Sequence, residues 1–248
     1  METVKHLQDF QVVEFRRYTV APGEREHFTR YFDTYFPEAF EQLGAMVFGQ
    51  FHERADANHF TWLRGFKDIN ARPIVNSAFY YGPLWKEHRV KVNAILPDSD
   101  NVMLLRPARV DSGVTVLPAV DPVTEPDGAH GIVVAQVFPV DKGAEDAFAA
   151  RAGSEFAHYA TPGVHPAGVL VSLDVPNNFP QLPIRSDGPW VVWLGVVRDE
   201  QALHDLEAAM VRSEKALAAT GLLRGTAERI VMDPTPRSRL RWLDAVAP

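Results

Sequence analysis

The chain has 248 residues, 46% of them hydrophobic and 10% aromatic, enough to bury one large core or two modest ones. A net charge of -7 and the lack of a Lys/Arg cluster argue against nucleic acid or an anionic membrane as main partner, and favour a small neutral or apolar ligand. With no cysteine, disulfides, thiolate metal sites and a cysteine nucleophile are excluded together, which leaves catalysis to His, carboxylates, hydroxyls or a cofactor.

Met1 to Phe10 hold no continuous apolar stretch of the secretory kind, and no segment reaches the roughly 18 apolar residues of a membrane span, so a cytoplasmic protein is expected. Val12 to Val20 reads as a strand, with Glu14, Arg16 and Tyr18 alternating against Val13, Phe15 and Arg17. After Ala21-Pro22-Gly23, the spacing of Phe28, Tyr31, Phe32, Tyr35, Phe36, Phe40 and Leu43 predicts one amphipathic helix, which Gly44 ends. Met46 to Phe51 and His59 to Phe66 follow as an antiparallel hairpin. A helical region from about Asp68, interrupted at Tyr81-Gly82-Pro83 and restarting at Leu84, leads to a strand at Asn101 to Leu105. The order β-α-β-β-α-β is that of a ferredoxin-like unit.

Residues 108–130, with Pro118, Pro122 and Pro126 among scattered Gly and acidic residues, favour an extended linker. The order then repeats: strand Gly131 to Val140, helix Gly143 to Tyr159, strands Val169 to Val175 and Trp190 to Val197, helix Glu200 to Ala219, strand Ala227 to Met232. Local echoes accompany it, such as Trp62-Leu63 with Asp68 and Trp193-Leu194 with Asp199. The expected fold class is α+β: two tandem ferredoxin-like units, residues 1–107 and 131–248, joined by the linker. Each would leave one apolar sheet face uncovered, and packing the two faces together makes an intrachain dimeric α+β barrel. A homodimer stays open.

Glu14-Phe15-Arg16-Arg17-Tyr18-Thr19, Phe60-Thr61-Trp62-Leu63-Arg64-Gly65-Phe66 and Gly82-Pro83-x-Trp85-x-x-His88-Arg89 resemble the NIPSNAP domain, and the likeness covers nearly all of residues 12–106. The resemblance implies the dimeric α+β barrel superfamily, which includes cofactor-independent oxygenases of aromatic polyketides, lactone isomerases, and haem enzymes such as chlorite dismutase-like proteins. The second half looks like a degenerate copy, so a site is expected in the first.

Helical spacing after Pro83 puts Trp85, His88, Val92 and Ile95 on one stripe. His88 then has three readings: general base, haem ligand, or a core histidine bonded to a carbonyl. Alternation gives Glu14, Arg16 and Tyr18 one face of strand one, Gln50 and His52 one face of strand two, and Trp62 and Arg64 one face of strand three. If these are one face, pairs such as Glu14 with Arg64 or Arg16 either stabilise an enolate or phenolate, or form a structural ion-pair network between the sheets. His158, His165 and Asp174 lack the spacing of a metal site, and no nucleotide or serine-hydrolase motif is present.

The leading expectation is a small-molecule-handling, cofactor-independent enzyme performing proton abstraction or oxygenation on an aromatic or polyketide-like metabolite. In it His88 or Glu14 is the base, Arg64 and Arg16 stabilise anionic charge, and Tyr18, His52, Trp62, Tyr80, Tyr81 and Trp85 bind substrate between sheet and helices. A non-catalytic metabolite-binding or scaffold protein, and a haem protein using His88 or His158, are the alternatives.

Overall fold

A computed structural model describes residues 10–243. The first unit comprises β1 (Val12–Thr19), α1 (Arg25–Tyr35), α2 (Pro37–Gln42), β2 (Ala45–Glu53), β3 (His59–Phe66), α3 (Ala71–Tyr80), α4 (Pro83–Ile95) and β4 (Asp98–Pro107). The second comprises β5 (Ile132–Pro139), α5 (Glu145–Ala157), β6 (Val164–Ser172), β7 (Trp190–Val197), α6 (Glu200–Ala218) and β8 (Glu228–Pro234).

The expected single helix over Phe28 to Leu43 is two, because Pro37 lacks the amide hydrogen that would continue the ladder and instead opens α2. Gly82 separates α3 from α4 for a steric reason as well: a Cβ there would lie 2.3 Å from the carbonyl oxygen of Ala78. Strand β6 starts at Val164 rather than Val169, and a register shift between Pro166 and Gly168 absorbs the proline.

Each unit is a four-stranded antiparallel sheet with its first strand central, and the eight strands close into one barrel in the order β1-β3-β2-β8-β5-β7-β6-β4. The seams are related by the repeat: β2 pairs β8 through Phe51 to Glu53, and β4 pairs β6 through Leu105 to Pro107. The apolar faces expected to cover one another do so inside the barrel, where Val13, Phe15 and Leu63 share a core with Val133, Val192 and Leu194. Beyond that packing, the sheet edges also hydrogen-bond, which removes every free edge. The helices pack outside, each set against its own sheet.

Residues 108–130 form no helix or strand, as a linker would. Part of the segment is nonetheless packed: Val114, Val116 and Leu117 are buried, and Val114 and Val116 join the barrel core. The backbone N–H of Thr115 donates to the Ala167 carbonyl at 2.9 Å.

Candidate functional site

The register of the first sheet settles which side chains share a face. Glu14 lies opposite Arg64, Arg16 opposite Trp62, and Tyr18 opposite Phe60 on the β1-β3 ladder, while Gln50 lies opposite Trp62 and His52 opposite Phe60 on β2-β3. The polar row is therefore one face. It looks toward the helices, since Tyr18, Trp62 and Phe60 pack with Phe28, Phe32 and Phe79, whereas Val13, Phe15 and Leu63 fill the barrel.

On that face Glu14 is wholly buried and surrounded by guanidinium groups. Its Oε2 accepts from Arg16 Nη1 at 2.8 Å and from Arg64 Nε at 2.7 Å, and its Oε1 accepts from Arg72 Nε at 2.7 Å. Burial by itself would raise the Glu14 pKa, but the charges of Arg64, Arg16 and Arg72 overcome it and hold the carboxyl well below the usual range. Among the described residues Glu14 is the one carboxylate paired with these three arginines, so the cluster carries a surplus of positive charge. Arg64 Nη1, Arg72 Nη2 and Trp62 Nε1 are buried donors with no acceptor among the described residues. Aromatic rings face the cations: Arg64 Cζ lies 4.8 Å from the Phe40 centroid and 5.2 Å from that of Trp62, and Arg16 Cζ lies 5.6 Å from Trp62.

Above the cluster, between sheet and helices, is a cavity of about 360 Å³. It is lined by Arg16, Tyr18, Trp62 and Tyr80, by the rings of Phe28, Phe32, Phe36, Phe40, Phe79 and Trp85, and by the more exposed Tyr81, Arg89, Asn93, Ser99 and Gln181. Arg16 Nε also donates to the Tyr18 hydroxyl at 3.0 Å. Burial pushes the Tyr80 hydroxyl pKa up, against the lowering effect of Arg64 and Arg16, so this phenol stays protonated and able to donate.

Two contributions come from the second unit. The segment between β6 and β7 lays Phe179, Gln181 and Leu182 over the cavity, with the Phe179 ring 6.2 Å from Tyr80 and 6.3 Å from Tyr81. The same segment is anchored to the arginine cluster, because Arg72 Nη1 donates to Asn177 Oδ1 and Asn178 Oδ1, both at 2.9 Å. No local pattern in the segment marks these residues. Arg72 did carry a signal: a cation in the first turn of α3 opposes the helix dipole, which suggests that something else holds it.

Of the residues expected at the site, Arg16, Tyr18, Trp62, Tyr80, Tyr81 and Trp85 line the cavity, and Glu14 and Arg64 lie in the cluster beneath it. His88 and His52 stand apart. The α4 stripe that lines the cavity is Trp85, Arg89, Val92 and Asn93, with Leu96 just past the helix end. At about 100° per residue, Arg89 and His88 fall on opposite flanks of Trp85, and the structure turns the Arg89 flank inward. His88 sits between α1 and α4, its Nδ1 bonded to the Tyr31 hydroxyl and its ring 4.3 Å from that of Tyr35. His52 Nε2 is 2.6 Å from Thr29 Oγ1, and burial lowers its pKa. The two histidines expected as haem ligands lie away from the cavity: His88 is outside its lining, between α1 and α4, and His158 is exposed at the end of α5.

The second unit supplies an internal comparison. By register Val134 and Gly195 stand where Glu14 and Arg64 do, Gln136 replaces Arg16, and Phe138 replaces Tyr18. A Cβ at Gly195 would lie 2.2 Å from the Trp193 indole, so that ring occupies the room an arginine would need. Tyr159, its ring 5.1 Å from Trp193, Phe148 and Phe156 complete an apolar core. The arginine cluster belongs to the first unit.

A family model described as NIPSNAP matches residues 13–109. No curated protein matches the chain. Among solved structures, a candidate monooxygenase from Fusobacterium nucleatum subsp. nucleatum aligns with a TM-score of 0.59 at 12% identity, over 95% of this chain and 97% of its own. An anthrone oxidase-like protein aligns with a TM-score of 0.54 at 17% identity, over 96% and 98%. A mutant chlorite dismutase from Candidatus Nitrospira defluvii aligns with a TM-score of 0.52 at 10% identity, over 94% and 95%. At such identities the likeness shows the fold alone, two ferredoxin-like units closed as a dimeric α+β barrel.

Proposed function

We propose that this chain, which carries a NIPSNAP domain at residues 13–109, binds an aromatic small molecule through an anionic phenolate or enolate oxygen held at Arg16. The observation that carries the reading is the cluster of three buried guanidiniums on one carboxylate, with Arg16 opening into an aromatic cavity. A surplus of buried positive charge is costly unless an anion joins it, and an anionic oxygen beside Arg16, Trp62 Nε1 and the Tyr80 hydroxyl would do so.

The enzymatic form of the proposal is cofactor-independent oxygenation of a hydroxyaromatic or its keto tautomer, for which the anthrone oxidase-like neighbour suggests anthrone as the probe. Anthrone loses a C–H proton to water, its enolate oxygen lies at Arg16, and the carbanionic carbon adds O2. The peroxide anion formed takes the proton back from water, and the hydroperoxide then loses water to leave anthraquinone, so anthrone and O2 give anthraquinone and H2O. Glu14 is not the base in this scheme, because its carboxylate is already saturated by arginines. Arginine stabilisation of the enolate supplies the acceleration instead.

One observation favours a non-catalytic binder: among the described residues no carboxylate or imidazole lines the cavity. Oxygen uptake with anthrone, run beside 2-naphthol binding by calorimetry, separates the readings. Uptake above the buffer rate, lost in Arg16→Met, supports the enzyme. Naphthol binding without uptake selects the binder, and neither binding nor uptake overturns both.

A further inference from the structure

The cavity lining includes polar groups at two depths, the buried Arg16 and Trp62 and the exposed Arg89 and Asn93, and among the described residues Arg89 is a cation without a protein counter-charge. Arg89 on α4 lines the cavity beside Asn93, one turn further along the same helix, with Ser99 of β4 and Gln181 of the second unit. Among the described residues Arg89 makes no hydrogen bond or ion pair, in contrast with Arg16, Arg64 and Arg72 in the buried cluster. Trp85, Phe36, Phe79 and Val92 line the same cavity.

We infer that the ligand is bipolar: a flat aromatic body with a phenolate or enolate oxygen at Arg16 and a carboxylate at the opposite end held by Arg89 and Asn93. The inference rests on the reading of Arg16 given above and adds the second anchor. A guanidinium with free donors matches a carboxylate, and the Asn93 amide next to it supplies a further donor. The aromatic lining accepts a planar ring system, and one buried and one exposed polar group select a single orientation of a bipolar ligand. The second unit takes part in selection, since Gln181 completes the exposed polar group and Leu182 and Phe179 cover the ring.

The test compares 2-naphthol with 6-hydroxy-2-naphthoate, which carries its hydroxyl and carboxylate at opposite ends of the same ring system, by calorimetry on the full chain, Arg89→Met and Arg16→Met. Expected for the full chain is binding of the hydroxynaphthoate at least about tenfold tighter than naphthol, the increment of one charge-assisted contact. Arg89→Met should collapse that ratio to near one, and Arg16→Met should weaken both probes. A ratio near one in the full chain, or one retained in Arg89→Met, overturns the bipolar ligand while leaving the reading of Arg16 in place. Failure of naphthol itself to bind overturns the reading of Arg16 and this inference with it.

Discussion

Arg72 Nε, on α3, donates to Glu14 Oε1, on β1, at 2.7 Å, while the other oxygen of the same carboxylate receives Arg16 and Arg64 from the sheet. One buried carboxylate thereby joins helix to sheet under the cavity. Arg72 Nη1, bonded to Asn177 and Asn178, extends the connection to the second unit.

Glu14→Gln should destabilise the protein by about 3–5 kcal/mol, since it leaves three buried guanidiniums without their anion. The pH dependence follows the same logic. Glu14 titrates lower in the folded than in the unfolded chain, so its contribution is complete above the ordinary value of 4.5 and is lost as pH falls below it toward the depressed folded value. Urea unfolding between pH 7 and pH 3 checks this: the wild type should lose stability steeply in acid and Glu14→Gln more gently. Parallel slopes would contradict the assignment.

Asn177→Ala combined with Asn178→Ala should loosen the segment that covers the cavity at a cost of about 1–3 kcal/mol, because Arg72 keeps Glu14 and loses two neutral acceptors. Limited proteolysis should then cut within residues 173–189 faster than in the wild type, and bound 2-naphthol should dissociate faster. An unchanged cleavage pattern would mean that the asparagines do not hold the cover.

Val116→Asp should cost several kcal/mol, on the order of 3–5, since it places a carboxylate in the barrel core. Val110→Asp, in the same inter-unit segment but 93% exposed, should change stability by less than about 0.5 kcal/mol. Thermal melts of the two variants decide whether residues 108–130 are a tether or part of the core.

His88→Phe should leave 2-naphthol binding as it is, because the ring lies between α1 and α4 and outside the cavity lining. Loss of the Tyr31 bond should appear only in stability, about 1 kcal/mol. A drop in binding of tenfold or more, with the fold intact by circular dichroism, would return His88 to the site.

Alternation determined that Glu14, Arg16 and Tyr18 share one face of β1 and that Trp62 and Arg64 share one face of β3, and the repeated element order determined the two tandem units; the register of the β1-β3 ladder then joined the two faces into one. Alternation and element order are local properties, a period of two and a sequence of helix and strand patterns, and they survive any change in long-range packing. Which side of the sheet the polar row faces was not legible, because both faces of β1 are buried and burial therefore erases the apolar-polar contrast that would distinguish core from helix side. The flank of α4 that turns inward was hidden for a similar reason: Trp85 and Val92 are compatible with either His88 or Arg89 beside them, and only docking of the helix on its sheet chose Arg89. Arg72 reaches Glu14 by the docking of α3 on the first sheet, and Asn177, Asn178 and Phe179 come from the second unit, so their convergence on the site was decided by tertiary packing and the closure of the barrel.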